Sequence, residues 1–429
     1  MSFIKNLKYT FSSQIVIFIL SFLFSLVIAR VLGPEGQGYF TLCLLIPTLV
    51  ARFGHLGLDN ANAFFIKIVD EKKRHLLFSH SIIFCILTCG YSALFFLLYF
   101  SIFHSIPFGF SVPILIIILC LVFTNMFKTV FLSVLVGLDR LKVHSLISIV
   151  ESGLPFGIAI ILFLFDALTP VSLLIGLLLT GVLVVIILTI NLRIKKNIKF
   201  SGSLLKDSLR CGFKSWWNNL ANQLNYRVDI LFISFFLGYY EVGIYSVAVL
   251  IIEKVWFFNT AINNALFPKT HQMSLEEGAL FTSRIVRVNL IISIVGACFL
   301  GFISQWLIPF LFSEDYLNSV QPLLWLIPGV VFLSIPKIIV AHLASKDKLE
   351  YAAISSSIAC VINIIINYLL IPRLGIVGAA ISSSISYLVY SLLYIYFYLR
   401  ITSLTLSTLL IPKKSDFFAI VRKFKNKGD

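Results

Sequence analysis

Long apolar runs, interrupted by short charged turns, fill the chain from about residue 11 to residue 399. A helix that crosses a bilayer needs about 20 mostly apolar residues, and about twelve stretches meet that length. They lie at 11–31, 38–62, 76–100, 112–136, 145–165, 170–191, 212–237, 242–266, 285–310, 320–342, 351–371 and 376–399. The runs are continuous, so the ten-residue alternation of a membrane β-barrel is absent. The pattern predicts an all-α polytopic membrane protein. Lys5 and Lys8 ahead of the first run give it the form of a signal peptide. With eleven further spans behind it, the segment reads better as a retained first helix.

Composition narrows the class. Of 429 residues 59% are hydrophobic and 12% charged, against about 45–50% and about 25% in a soluble domain. Too little polar surface remains to cover such a core in water, which excludes a soluble enzyme. Disorder, collagen and a disulfide scaffold are excluded on the same figures. The seven cysteines lie mostly inside apolar runs, without CxxC pairs or a histidine at metal spacing, and read as small core hydrophobes. No metal or cofactor is expected.

The net charge of +15 is mostly an orientation signal. Lys72, Lys73 and Arg74, Arg140 and Lys142, Arg193 to Lys206, Lys269 and Arg284, and Lys346 and Lys348 fall in one alternating set of turns, with both ends of the chain. The opposite turns hold Glu35, Asp166, Glu241, Glu314 and Asp315, and few cations. The positive-inside rule then places both termini in the cytoplasm. Dispersed cations of this kind argue against nucleic-acid binding. After Arg400, residues Asp416–Lys427 mix aromatic and aliphatic residues with cations and predict an amphipathic tail on an anionic leaflet.

The chain repeats. Leu32-Gly33, Gly38 and Phe40 recur as Leu237-Gly238, Gly243 and Tyr245, each 205 residues later, and Asp139-Arg140-Leu141 recurs 208 residues later as Asp347-Lys348-Leu349. Matching turns lie on matching sides, so two parallel six-helix lobes are expected at 1–200 and 201–400, with a basic cytoplasmic tail at 401–429. Repeat-built transporters place their path between such halves.

The turn Ala29-Arg30-Val31-Leu32-Gly33-Pro34-Glu35-Gly36-Gln37-Gly38-Tyr39 resembles the opening signature of the bacterial polysaccharide transporters. These are the Wzx-type lipid-linked oligosaccharide flippases of the multidrug/oligosaccharidyl-lipid/polysaccharide exporter superfamily. Asp229 with Leu237-Gly238, Gly243, Tyr245 and Leu266-Phe267-Pro268 resembles their seventh and eighth helices. Asn363, Asn367, Ile371-Pro372, Gly375 and Gly378-Ala379-Ala380 resemble their eleventh and twelfth. The resemblance implies two lobes around a central cavity. It also implies alternating access that carries an undecaprenyl-diphosphate-linked oligosaccharide from the cytoplasmic to the outer leaflet of the bacterial inner membrane, as in O-antigen and lipopolysaccharide biosynthesis. Membrane lipid, a polysaccharide polymerase and chain-length machinery are the implied partners. Arg30, Gly33, Pro34 and Gly38 form the signature turn.

Charges inside the spans each need a reason, because one at the bilayer centre costs at least about 2.5–3.5 kcal/mol. Arg52, Lys128, Arg227 and Lys254 are the candidate ligands of a diphosphate headgroup. Asp59, Glu151, Asp229 and Glu253 are candidates for binding a coupling ion or for pairing with those cations. The pairs open to them include Arg52 with Asp59 and Lys128 with Glu151. Lys337, near the cytoplasmic end of its span, reads as snorkelling. The seventh span is too polar to face lipid: Trp216, Asn219, Asn222 and Asn225 suit either sugar recognition or helix–helix bonding, as do Asn263 and Asn264 in the eighth. Two other classes compete. A drug antiporter of the same superfamily favours an acidic cavity, and a membrane polymerase or acyltransferase needs a large outer loop or a clustered His/Asp constellation. Neither feature is present in the sequence.

Overall fold

The computed structural model describes residues 3–70, 73–104, 107–194, 199–413 and 416. The helices are α1 (Phe3–Gly54), α2 (Leu58–Ile68), α3 (Arg74–Phe103), α4 (Val112–Gly137), α5 (Leu141–Leu164), α6 (Pro170–Asn191) and α7 (Gly202–Phe236). They continue with α8 (Tyr239–Ile252), α9 (Phe257–His271), α10 (Leu275–Leu311), α11 (Val320–Ser345), α12 (Glu350–Thr402) and α13 (Leu406–Leu410). No strand occurs among the described residues. Among the described residues eight helices are long and apolar enough to cross a membrane: α1, α3–α6, α10, α11 with the turn before it, and α12.

Two of these are really pairs. Gly33 (φ 65°, ψ −178°) interrupts α1 and Gly375 (φ 61°, ψ −144°) interrupts α12. Glycine takes these angles without a Cβ clash, and Pro34 cannot donate the hydrogen bond that would carry the helix through. The predicted first and second spans therefore share α1, and the eleventh and twelfth share α12. The predicted seventh span falls on α7. The eighth falls on α8 and α9, which a 3-10 turn at Glu253–Trp256 separates.

The repeat is visible in backbone geometry. Left-handed or positive-φ residues close the turns of the first half at Gly33, His104, Asp139, Asp166 and Arg193. Their counterparts in the second half are Gly238, Ser313, Asp347, Gly375 and Ser403, between 205 and 210 residues later. The two copies of the Asp-basic-Leu turn match bond for bond. Arg140 N–H donates to Leu135 C=O at 2.9 Å, and Lys348 N–H donates to Leu343 C=O at 2.9 Å. Both turns place the aspartate in the left-handed region, where its short polar side chain is tolerated.

The molecule forms two compact units. The described residues up to Gln223, with Leu237–Gly243, make the first; Leu224–Phe236 and the described residues from Ile244 onward make the second. Phe78, Phe127, Phe131, Val134 and Leu188 centre the apolar core of the first unit. Val286, Ile338, Ile339, Tyr394 and Tyr398 centre that of the second. Outside, the order of a soluble protein is reversed: Phe165, Phe235, Phe302 and Phe310 stand exposed, while Ser355, Ser356, Ser382, Ser383 and Ser386 are fully buried. Such a surface is satisfied by lipid, not by water. Within the first unit Gly38 and Gly243 let two backbones meet. A Cβ on Gly38 would strike the Tyr239 carbonyl, and one on Gly243 would strike the Pro34 carbonyl. The repeated glycines are thus a packing device.

Of the predicted amphipathic tail only Asp416 lies among the described residues. It is buried, and Arg287 Nε and Nη2 donate to its two oxygens at 2.6 and 2.7 Å. Arg284 Nε lies 3.5 Å away, Lys413 N–H donates at 2.9 Å, and Arg287 also reaches the Thr408 carbonyl. The Arg287 guanidinium holds the Asp416 carboxyl below the usual carboxylate range. A carboxyl depressed in the folded state stabilises fully above its unfolded pKa of about 3.9, and the gain vanishes as pH falls through the folded value. The clamp is therefore constant from pH 5 to 8. Asp416→Asn strands a buried cation, at a cost of about 3–5 kcal/mol. Trypsin is expected to cut the variant after Lys413 much faster than the wild-type chain, by the same ratio at each pH from 6 to 8.

Candidate functional site

Each unit holds a cluster of cations among polar and aromatic side chains. In the first, Lys128 on α4 and Glu151 on α5 pair at 2.7 Å, with side chains 14% and 32% exposed. They line a cleft of about 230 Å³ with Thr48, Arg52, Asn125 and Thr129. The Thr48 and Thr129 hydroxyls bond their own helices at Leu44 and Asn125, as threonines in apolar helices do. Trp216 Nε1 donates to the Arg52 carbonyl at 2.7 Å and fixes the end of α1. Two cations against one carboxylate leave the cleft positive.

The second span does not continue as one helix through Asp59. It stops at Gly54 and restarts at Leu58 across Gly57, which has φ 85°. This break puts Arg52 and Asp59, one of the pairs open to these charges, on two different helices. Asp59 instead meets His55, with Nδ1 to Oδ1 at 3.4 Å.

In the second unit Arg227 on α7 donates to Glu253 at 3.0 Å. Lys337 on α11 lies over the rings of Trp256 and Tyr226, 4.2 and 4.8 Å from their centroids. Tyr387 packs against the same two rings. Trp256 Nε1 is tied to the Val330 carbonyl at 2.9 Å, and Asn263 Nδ2 to the Lys337 carbonyl at 2.7 Å. Lys337 thus does not snorkel as expected. The aromatic faces solvate its ammonium inside the unit. Lys254 is half-buried in the 3-10 turn beside Glu253. The cluster holds three cations against one carboxylate.

Asp229 does not join that pair. Tyr245 and Ser383 hydroxyls donate to it at 2.6 and 2.9 Å, and Ile230 N–H donates at 2.8 Å. Next to it Asn363 donates to Asn225, Asn367 donates to Asn363 at 2.7 Å, and Ser382 and Ser386 complete the net. All five are fully buried. Asn222 bonds Asn218 along α7 at 2.8 Å, and Asn219 is half-buried. In the signature turn Arg30 is exposed, and Pro34 and Gly38 are buried. The side chain of Asn264 lies outside the described residues.

The sequence thus marked the cations and carboxylates, and Tyr245 as a repeat position, but not Ser383, Tyr387 and His55, which hold or flank them. Lys337 carried the available signal, a lysine within an apolar span.

Residues 3–274 match the family described as "Polysaccharide biosynthesis protein". The "Probable low-salt glycan biosynthesis flippase Agl15" of Haloferax volcanii is 25% identical over 40% of this chain and 37% of its own. The "Capsular polysaccharide biosynthesis protein CapF" of Staphylococcus aureus is 24% identical over 43% and 48%. The chain spans less than half the length of these curated relatives. Among solved structures, the lipid II flippase MurJ in an inward closed conformation superposes with TM-score 0.71 and 17% identity, over 93% of this chain and 90% of that one. The two-lobe fold of the multidrug/oligosaccharidyl-lipid/polysaccharide exporter superfamily is therefore shared.

Proposed function

The chain belongs to the polysaccharide biosynthesis protein family, and we propose that it moves an undecaprenyl-diphosphate-linked oligosaccharide across the cytoplasmic membrane. The cargo pairs an anionic diphosphate with a neutral or acidic glycan on a lipid tail. The observation that carries this reading is the surplus of cations in both lobes: Arg52 and Lys128 against Glu151, and Arg227, Lys254 and Lys337 against Glu253. Charge-assisted bonds from Arg and Lys suit phosphate oxygens, and the surrounding amides and rings of Asn125, Tyr226 and Trp256 suit sugar hydroxyls and sugar faces.

Both termini lie in the cytoplasm in this reading, because the cation-bearing turns do. The repeat unit enters there and leaves on the opposite leaflet, where a polymerase and its chain-length partners take it up. Asp229, held by three donors inside the second lobe, is the carboxylate best built to bind a coupling proton or cation. Glu151 and Glu253 balance their partner cations. The relatives' printed descriptions, a glycan flippase and a capsular polysaccharide protein, agree with this cargo class. The test is deletion of the gene. Surface polymer is expected to disappear while lipid-linked repeat units accumulate inside, and the wild-type chain is expected to restore export.

A further inference from the structure

The break between α1 and α2 in the first unit holds a buried titratable side chain that the transport path leaves unused. Residues 55–57 join the two helices, and their backbone is bent out of the ordinary regions: Leu56 has φ 44° and Gly57 φ 85°. Glycine takes such an angle freely, but leucine takes it only under strain. Strain of this kind collects at ligand clamps and switch regions. Both sides of the joint are held. Trp216 fixes the last turn of α1 through the Arg52 carbonyl, and Asn62 on α2 donates to Ser81 Oγ on α3 at 2.8 Å. Gly57 packs directly on Gly212 of α7, where a Cβ on either would strike the backbone of the other.

Within this joint one nitrogen faces two groups. His55 is fully buried, and its Nδ1 accepts the Gly57 N–H at 3.2 Å. The same Nδ1 lies 3.4 Å from Asp59 Oδ1. A side chain that accepts the N–H two residues on is an ordinary way to close a turn, and that role needs no carboxylate. Here it sets two acceptors against each other. With its lone pair turned to Gly57, Nδ1 carries no proton, so the neutral ring has its proton on Nε2. Nε2 then has no acceptor and Asp59 Oδ1 no donor: among the described residues neither atom has a hydrogen-bond partner. A proton on Nδ1 reverses the arrangement. Nδ1–H donates to Asp59 Oδ1 in a charge-assisted bond, and the Gly57 N–H gives up its acceptor. Each state satisfies one partner at the expense of the other, which is the condition for a switch.

The charged groups that face His55 are Asp59 and Arg52. Asp59 attracts a proton there and Arg52 repels it. The other elements at the joint present uncharged groups, the Thr88 side chain from α3 and Gly212 from α7.

We propose that His55 and Asp59 form a proton-binding site of the first unit, and that its occupancy sets the joint between α1 and α2. The site lies in the other unit from Asp229 and stands whether or not Asp229 binds an ion. It does not depend on what the lobes carry.

The test is nitrogen magnetic resonance of the full chain, isotope-labelled only at histidine and reconstituted in phosphatidylcholine bilayers. His55 is assigned as the signal absent from His55→Asn. Asparagine places its amide oxygen near the position of Nδ1, so it keeps an acceptor for Gly57 but takes up no proton. At about pH 8 His55 is expected to be neutral with its proton on Nε2, and at about pH 5 to carry protons on both nitrogens. Asp59→Asn removes the charge that holds the added proton and is expected to bind it about tenfold more weakly. Should His55→Asn fail to accumulate, His55 is identified instead as the signal that Asp59→Asn moves. Hydrogen exchange of the peptide that contains Gly57, corrected for the effect of pH on chemical exchange, is expected to quicken about tenfold on acidification in wild type and to stay constant in His55→Asn. A proton fixed on Nδ1 at the higher pH, a ring that stays neutral at the lower one, no signal moved by Asp59→Asn, or equal quickening of exchange in wild type and His55→Asn would overturn the site. A spectrum that changes when about 0.15 M sodium replaces choline at the higher pH would overturn it too, because the occupant of the pair would then be a metal cation.

Discussion

Replacing Arg227 by Gln is expected to reduce export of surface glycan by about 10–100-fold, the worth of one charge-assisted bond to a phosphate. The substitution removes a donor and breaks the 3.0 Å pair with the half-buried Glu253, which leaves Lys254 and Lys337 as the cations of the cluster. A second variant separates cargo binding from simple ion pairing. Arg227→Glu combined with Glu253→Arg keeps the 3.0 Å pair but moves the cation to the 3-10 turn. Membrane insertion of this swap should match wild type, and export should stay low. Restored export in the swap would make the pair structural and would remove Arg227 from the cargo site. Protein quantity in the membrane fraction and a blot for surface polymer provide both readings.

Asp229→Leu is expected to cost about 3–9 kcal/mol, enough to lower folded protein sharply. Leucine leaves the Tyr245 hydroxyl, the Ser383 hydroxyl and the Ile230 N–H without an acceptor in a fully buried place, and each orphaned group costs about 1–3 kcal/mol. Asp229→Asn retains one acceptor oxygen, and the hydroxyls can turn to accept from its amide. It should therefore fold and insert. If Asp229 also binds the coupling ion, the Asn variant loses the dependence of export on an imposed proton or sodium gradient. A variant that folds and exports with wild-type gradient dependence would confine Asp229 to the packing of the second lobe.

Much of the architecture could be read from periodicity and turns. The apolar runs mark α3 to α6, α10 and α11, since a spanning helix must be continuously apolar. The Leu-Gly-Pro turn announced the break at Gly33, because only glycine takes its φ without strain. The repeated Asp-basic-Leu turn announced two equivalent connections, which close with the same hydrogen bond at Leu135 and Leu343.

Where the chain breaks inside a span, the sequence was less explicit. The gap at His55–Gly57 and the 3-10 turn at Glu253–Trp256 carry no proline, and their surroundings are apolar enough to read as one helix. The start of α7 at Gly202 precedes the predicted span at 212, since Lys206, Arg210 and Lys214 lower the hydropathy of a helical segment that emerges from the apolar region.

The site was legible as residue types and not as partners. Intramembrane charges declare themselves by their cost, so Arg52, Lys128, Glu151, Arg227, Asp229 and Glu253 stood out. Which of them meet depends on helix packing. Arg227 and Glu253 are 26 residues apart, and Asp229 and Ser383 are 154 apart. Lys337 shows the same limit: its distance from the span end suggested snorkelling, but the rings of Tyr226 and Trp256 come from two other elements.

The most direct measurement of the central claim is the leaflet in which lipid-linked glycan collects when the gene is deleted. Radiolabelled repeat units are followed in inside-out and right-side-out vesicles, with a glycan-modifying enzyme added outside to report accessibility. The account predicts accumulation on the cytoplasmic leaflet, loss of surface polymer, and recovery with the wild-type chain but not with Arg227→Gln. Repeat units that reach the outer leaflet at the normal rate without the protein, with surface polymer intact, would contradict it.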